Sequence, residues 1–530
     1  MAYRGETITL PVGLQGFNGS QNPSQLQPGH MSYVEGVDID GGILVKDGGA
    51  QKLNSSALNS GASIIAGINW NPAGDNHDVI MLSDGDVLKD TGAGTFGTTL
   101  TSGLSAPTIF NPFFVTAGGE AVGETPKLFL FSEANQVQVV EGAANSMAAI
   151  ADPPTDWASS FPVFGVQHSN RLWGGGNSSD PHRMYYSMLT DHGDFVDATA
   201  GTLAVYPGEG RQLVGGISFN GVLIVWKYPK GIYVIDTRNS DKAEWSVTKL
   251  SGAVGGSSPQ TIFPIGNDIL FLSPGGSFHL LSAVNQFGDV RTSDIGQVAD
   301  INYFMRKNIS LLNIRKAQGL WYPSRGKAWF MMPSIGATQN DRRMILDFNE
   351  ATFGARFFIS RRDTGISAWP RPDTNGVEKP TLGDNAGFVW LMDDEERNKD
   401  SVAYTMELES ADDDFSFADP TLANVRKNGQ FLELTVDTVV TSSLNVVPIW
   451  DGIDSQPIVF DIGAEGSVLG SFILDTDELA SSGTQTIRRK LDGSGRRLKL
   501  RISNEVLDDE VRIANIKVAF ARSDEAVRTG

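Results

Sequence analysis

With 530 residues and 40% apolar side chains, the chain exceeds what one hydrophobic core usually serves, so two or more domains or a repeat array are expected. It contains no cysteine, which excludes disulfides, thiolate-bound zinc, iron–sulfur clusters and thiol catalysis. Its net charge of −20 opposes whole-surface binding to nucleic acid or anionic membranes.

The 59 glycines and 24 prolines show no collagen period, and with 10 Trp and 28 Phe they favour a turn-rich β protein. The opening Met1-Ala2-Tyr3-Arg4-Gly5-Glu6 lacks the apolar core of a signal peptide, and no stretch approaches the ~18 consecutive apolar residues of a membrane helix. No membrane insertion is expected.

Short apolar runs bounded by turns then recur along the chain. Val79–Leu82 precedes Ser83-Asp84-Gly85, and Leu128–Phe131 is followed by Val137–Val140. Arg171-Leu172-Trp173 leads through Gly174-Gly175-Gly176 to Met184-Tyr185-Tyr186, and Val222–Trp226 turns at Pro229-Lys230-Gly231 into Ile232–Ile235. Ile269–Leu272 pairs with Phe278–Leu281, Ala328–Met332 with Met344–Leu346, and Phe388–Met392 closes the series. Each unit has the form of a hairpin of two short strands. The units start roughly 45–60 residues apart, near the ~40–50-residue repeat of propeller blades. Stacking such small sheets around an axis buries both faces of each and leaves few free edges. The sequence therefore predicts an all-β protein with a β-propeller of about seven or eight blades over residues 1–400, the eighth contribution coming from Val37–Val45. Asp300 to Leu312 is the best candidate for a short helix.

The charged run Asp393–Asp400 reads as a solvated boundary. Beyond it, Leu432–Val436 and Leu498–Ile502 alternate apolar and polar residues, and Ile516–Phe520 closes the chain. Alternation of this kind predicts antiparallel strands with one buried face, so residues 401–530 are expected to form a C-terminal β-sandwich or jelly roll.

The chemistry-bearing residues do not form a catalytic pattern. The six histidines make no HExxH or close HxH pair. His182 and His192 lie near Asp180, Asp191, Asp194 and Asp197, where a metal site competes with a simple polar loop. Asp84-Gly85-Asp86 and Asp451-Gly452 lack a full calcium-loop ligand set and are better read as turns. No cofactor, metal or catalytic residue is assigned, and the protein is expected not to be an enzyme. The alternative is a carbohydrate-binding or carbohydrate-cleaving propeller, in which Trp173, Trp226 or Trp329 would sit beside two carboxylates. Their place inside apolar runs makes core packing the more economical reading.

One constellation stands out. Arg488-Arg489-Lys490-Leu491 leads through Asp492-Gly493-Ser494-Gly495 into Arg496, Arg497, Lys499 and Arg501. Asp-Gly predicts a hairpin, with Leu498, Leu500 and Ile502 on one face of the return strand and Arg497, Lys499 and Arg501 on the other. The expected result is a basic ribbon in an acidic protein, suited to an acidic partner, a neighbouring subunit or DNA phosphates. A solvated face balanced by local acids competes with that reading.

In the middle of the chain, Asn170–Gly176, His182–Ser187, Gly193-Asp194-Phe195, Gly221–Lys227 and Gly231–Ile235 together resemble β-propeller virion proteins of tailed bacteriophages, of the tail nozzle, tail tubular or packaged-DNA stabilisation type. The opening Ser24–Gly29 followed by Tyr33–Gly49 is similar to the usual start of these proteins. The resemblance spans roughly residues 5–310. It implies a structural component of a phage tail or head-to-tail assembly, made in the host cytoplasm and located in the virion. It further implies a homo-oligomeric ring, commonly a hexamer, that contacts portal, adaptor and other tail proteins and lets DNA pass without sequence-specific binding. It carries over no catalytic residue.

Overall fold

The computed structural model describes residues 6–523 apart from 12–14, 20–21, 73, 75, 93, 120–124, 190, 283–293, 297–299, 350–355, 361–364, 374, 395, 439–441 and 464–482. The described chain is almost entirely β; its one helix of more than a single turn, Ile301–Asn308, falls inside the expected 300–312 segment. No described helix is long and apolar enough to cross a membrane.

Seven small antiparallel sheets follow one another along the chain, at residues 64–101, 113–149, 164–204, 212–251, 262–280, 318–360 and 365–394. Their first strands, beginning at Ile64, Phe113, Phe164, Gln212, Ile262, Gln318 and Gly365, each touch the first strand of the next sheet, and the seventh returns to the first. That closed cycle is a seven-bladed β-propeller. The fifth blade has three strands among the described residues. The seventh takes its outer strand, Gly49–Lys52, from the N-terminal side of the chain, where it pairs with Val389–Asp394. The expected apolar runs are the middle strands of blades, except Phe278–Leu281, whose strand Phe278–Leu280 is an edge of blade 5 among the described residues. Val222–Tyr228, for example, is flanked on both edges and buried on both faces, so its sequence is continuously apolar rather than alternating.

Blades meet by setting a large side chain against a glycine of the next inner strand. A Cβ on Gly67 would fall within the ring of Trp369, one on Gly165 within Phe131, and one on Gly319 within Phe263. The closing seam between blades 7 and 1 adds a polar clasp. Asp78, buried on blade 1, accepts hydrogen bonds from Trp369 Nε1 at 3.1 Å and Asn69 Nδ2 at 3.1 Å and pairs with Arg371.

Among the described residues there are two further sheets of seven strands each. Sheet I orders Gly483–Lys490, Lys427–Thr438, Arg512–Arg522, Ile43–Lys46 and Val37–Asp40, with Glu6–Leu10 and Ser494–Gly495 attached. Sheet II orders Gly16–Phe17, His30–Glu35, Met406–Ser410, Leu498–Asn504, Ser442–Trp450 and Ile453–Asp454, with Ile458–Ile462 attached. Inward residues of both, such as Leu432, Leu434 and Val518 with Leu408, Val446 and Leu500, belong to one core that continues into blades 5 to 7.

This pairing differs from the expected division at residue 400. The strands between Glu6 and Lys46 belong with strands beyond Met406 rather than with the blades, and Val37–Val45 forms an edge hairpin of sheet I rather than an eighth blade. Their apolar residues, Met31, Val34, Val37 and Leu44, bury themselves only in the core shared with the C-terminal strands. The run 393–400 is likewise not a solvated linker. Asp393 accepts from Tyr322 Oη at 2.6 Å and Arg325 Nε at 3.2 Å, and the Asn398 carbonyl accepts from the Ala50 N–H at 2.9 Å. Glu395 lies outside the described residues.

Blade 6 is tied to sheet I and the segment that follows Ile43–Lys46 through buried charge. Lys327 pairs with Asp38, and Arg343 with Asp47 at 2.6 Å. Burial pushes the Asp38 carboxyl up against the opposing pull of Lys327.

Candidate interaction surface

The basic tract does not form the expected hairpin. Gly483–Lys490 pairs with Lys427–Thr438 in sheet I, whereas Leu498–Asn504 lies between Met406–Ser410 and Ser442–Trp450 in sheet II. After the Asp492-Gly493 turn Ser494–Gly495 still pairs with Lys427-Asn428 of sheet I, and the chain crosses to sheet II at Arg496-Arg497. The physical reason is apolar. Ile487 and Leu491 on one side, and Leu498, Leu500 and Ile502 on the other, bury into the same core from opposite sheets, which adjacent strands of one hairpin would not do. Gly493 has φ +106° and lies where a Cβ would meet the Trp450 indole, whose Nε1 donates to the Asp492 carbonyl at 3.2 Å. The predicted alternation of Leu498–Ile502 is observed, with every second residue buried.

The seven basic residues therefore separate into two groups, most of them neutralised within the chain. In sheet II, Glu409 accepts from Lys499 Nζ at 2.6 Å and Arg501 Nε at 2.7 Å, and Arg501 also reaches Asp454 at 3.1 Å. Arg497 donates to the carbonyls of Ser24 at 3.0 Å and Asp412 at 2.9 Å, fastening two loops to sheet II. In sheet I, Arg488, Glu433 and Lys517 form a ladder across three strands at 2.7 and 3.0 Å, with the Arg488 guanidinium over the Phe431 ring. Apart from Asp492, which pairs with Lys490, these acids come from residues 407–454 and not from the nearby Asp508, Asp509 and Glu510.

Burial alone would raise the Glu409 carboxyl, but its bonds to Lys499 and Arg501 outweigh that and hold it below its ordinary value. A carboxylate held low contributes stability that is present above the unfolded-state value and lost as pH falls through the folded one. Glu409→Gln is expected to cost about 2 kcal/mol at pH 7, since two charge-assisted bonds are lost, and to shrink the acid-side loss of stability. Thermal unfolding of both proteins between pH 7 and pH 3 checks this; parallel curves would remove Glu409 from the account.

What remains exposed is the edge of sheet I. Gly483–Lys490 has one neighbouring strand among the described residues. Arg489 is opposite Leu432 in the register, on the core-facing side of the strand, yet it is exposed because it lies at the sheet's rim. Lys490, in a solvent-exposed pair with Asp492 at 2.7 Å, and Arg496 are exposed beside it. Cations on an edge strand, one pointing inward, deter indiscriminate strand addition while leaving a local positive stripe.

The other sequence candidates are structural. Trp173, Trp226 and Trp329 are buried. His182 Nδ1 lies 3.1 Å from Lys227 Nζ, and His192 is buried. Among the described residues no group of three or more His, Cys, Asp or Glu is placed to hold a metal ion. Sequence reasoning passed over the buried lysines. Lys227, inside an apolar run, donates to the carbonyls of Val205 at 2.6 Å, Tyr206 at 2.9 Å and Glu209 at 2.8 Å; Lys427 does the same to Leu422, Val425 and Arg496. A lone lysine within a hydrophobic stretch is the signal that marks the first of these.

No family model matches the chain, and no curated protein sequence matches it. Among solved structures it is similar to Raptor from Chaetomium thermophilum, with a TM-score of 0.41 and 9% identity over 66% of this chain. The chain spans 29% of the length of that protein.

Proposed function

We propose that the protein is a non-catalytic building block of a larger assembly, a structural component of a tailed-phage tail or head-to-tail junction. In this reading the two seven-stranded sheets form a β-sandwich that serves as a second, assembly-facing domain beside the propeller. The observation that carries the proposal is the way the ring is locked. The outer strand of blade 7 is N-terminal, and the chain on both sides of the propeller is woven into the same two sheets. Opening the propeller therefore requires separating strands in the sheets as well, which suits a part that bears load. The resemblance of residues 5–310 to tail nozzle and DNA-stabilisation proteins points the same way, towards a ring of copies, commonly six, through which DNA passes. In an acidic protein, the positive stripe at Arg489, Lys490 and Arg496 fits the acidic surface of a neighbouring copy or adaptor.

The test is mass measurement and negative-stain imaging of the purified protein, alone and with its neighbouring gene products. Rings or tubes are expected, loosening as salt rises well above physiological strength. Arg489→Glu with Lys490→Glu should abolish assembly while changing monomer stability by no more than about 0.5 kcal/mol, because among the described residues the one acid either pairs with is the exposed Asp492 beside Lys490. A monomer that stays monomeric with every neighbour, or that hydrolyses a glycan, overturns the proposal.

A further inference from the structure

A cleft of about 310 Å³ opens on the propeller face from which the chain enters the inner strands. It is built by three successive blades. The segment leading into Phe113–Ala117 supplies Ala106 and Ile109, the segment leading into Phe164–His168 supplies Phe161 and Val163, and Gln212 begins blade 4. The turn between Lys127–Ser132 and Asn135–Glu141 supplies Glu133. Such a volume lies at the small end of ligand sites, and apolar walls with a few placed polar groups are their usual form.

Among the described residues of this lining, Glu133 is the ionisable group. It is held rather than loose. Its Oε1 accepts from the Thr108 N–H at 2.7 Å, the Ile109 N–H at 2.6 Å and the Thr108 hydroxyl at 3.2 Å. All three bonds fall on Oε1 and all three donors are neutral, so the carboxylate is oriented without being neutralised and Oε2 faces no donor among the described residues. Lys316 feels this charge, but its Nζ donates to the Thr338 carbonyl at 2.9 Å and forms no ion pair with Glu133. Ile109, at the rim, is 46% exposed although large and apolar.

A fixed, unneutralised carboxylate among aliphatic and aromatic walls is complementary to a cation on an apolar stem. Lysine and arginine side chains have that shape: methylenes that pack against apolar surface and a charged end that seeks an acceptor. We infer that this cleft is a docking pocket for a lysine or arginine side chain presented by a partner protein. The inference is independent of the proposed place in a phage tail, and it concerns the propeller face rather than the basic edge of sheet I.

The full-length protein, methyl-labelled at isoleucine, valine and alanine, is titrated with N-acetyl-arginine amide and with N-acetyl-lysine amide. N-acetyl-norleucine amide serves as the uncharged match. At least one basic probe is expected to shift the methyl signals of Ala106, Ile109 and Val163, with a dissociation constant on the order of a millimolar for so small a fragment. Glu133→Gln keeps an Oε1 acceptor for the two backbone N–H groups, so the fold is retained, and it should weaken the basic probe about tenfold, the equivalent of one charge-assisted bond. Absence of any shift at roughly twenty times that concentration overturns the assignment. Equal binding by the norleucine probe, or equal binding by Glu133→Gln, also overturns it, since either makes the cleft merely apolar.

Discussion

Trp369→Ala is expected to lower stability by about 3–5 kcal/mol, the range for removing a large aromatic side chain from a packed core. Trp369 is 2% exposed and stands at the seam where the propeller closes. Its ring covers Gly67 of blade 1, and its indole N–H supplies one of the bonds that satisfy the buried Asp78. Burial raises the Asp78 carboxyl, with Arg371 as the largest opposing influence, so a lost donor makes the charged form harder to hold. The truncation should appear in denaturant unfolding as an early transition of the blades 7–1 seam, read by probes on His77–Leu82. Gly67→Val tests the same contact from the other side. Alone it forces a branched side chain into the Trp369 ring and is expected to cost about 1–3 kcal/mol. Combined with Trp369→Ala, the valine occupies part of the vacated space, and the double variant should be more stable than the sum of the two losses predicts by about 1 kcal/mol or more. Strict additivity would show that the two positions do not share a packing surface, and with it the ring-on-glycine account of blade contact would fail.

That contact illustrates which parts of the fold the sequence displays. Middle strands of blades are covered on both faces and edges, so they must be continuous apolar runs, and Val79–Leu82, Leu128–Phe131, Val222–Trp226 and Ala328–Met332 all announce themselves. Inner strands are harder to see. Gln212–Phe219 carries Gly215-Gly216 where Ile262 of the next blade and Phe164 of the previous one press close, and the apolar pattern is interrupted there. Gly49–Lys52 has no strand signature at all; it becomes the closing strand because blade 7 offers an open edge to it. The same limit applies to charge. Nothing local says that Arg501 meets Glu409, that Arg488 meets Glu433, or that Lys327 meets Asp38, because each pair is joined by strands far apart in the chain. The Asp492-Gly493 turn carried a local hairpin signal, but the burial of Leu491 and Leu498 from opposite sheets decided the path. The basic ribbon inferred from sequence is thus real as composition and mostly spent on internal pairing, with its remainder at the edge of sheet I.

The buried Lys227 leads to the second large expected effect. Its ammonium is fully enclosed, with three carbonyls from the 205–209 loop and His182 Nδ1 around it, and it lies 5.0 Å from the Tyr233 ring centre. Lys227→Met keeps most of the stem but removes every N–H. The Tyr206 carbonyl would retain the Glu209 N–H at 3.2 Å, whereas those of Val205 and Glu209 lose the amine that satisfies them. Two acceptors left in a dry site should cost about 3 kcal/mol at neutral pH, visible as a lower Tm. The pH dependence adds a separate signature. Burial, only partly offset by Glu209, pushes Lys227 down to about 8 from its ordinary 10.5. The unfolded chain therefore keeps this proton through a window in which the folded chain has released it, and stability rises with pH between the two values. Below the lower value both states are charged and the cost of enclosing the ammonium is constant; above the upper value both are neutral. The wild-type protein should gain up to about 3 kcal/mol from this residue across the window, while Lys227→Met gains none of it. Tyr233, raised to about 12 by burial and then by its bond to Glu209, contributes in the opposite sense only once an unfolded tyrosine begins to ionise near 10, so measurements from pH 8 to pH 10 separate the two. If both proteins show the same slope over that range, the amine is already hydrated in the native state, and the loop is held by something other than the lysine.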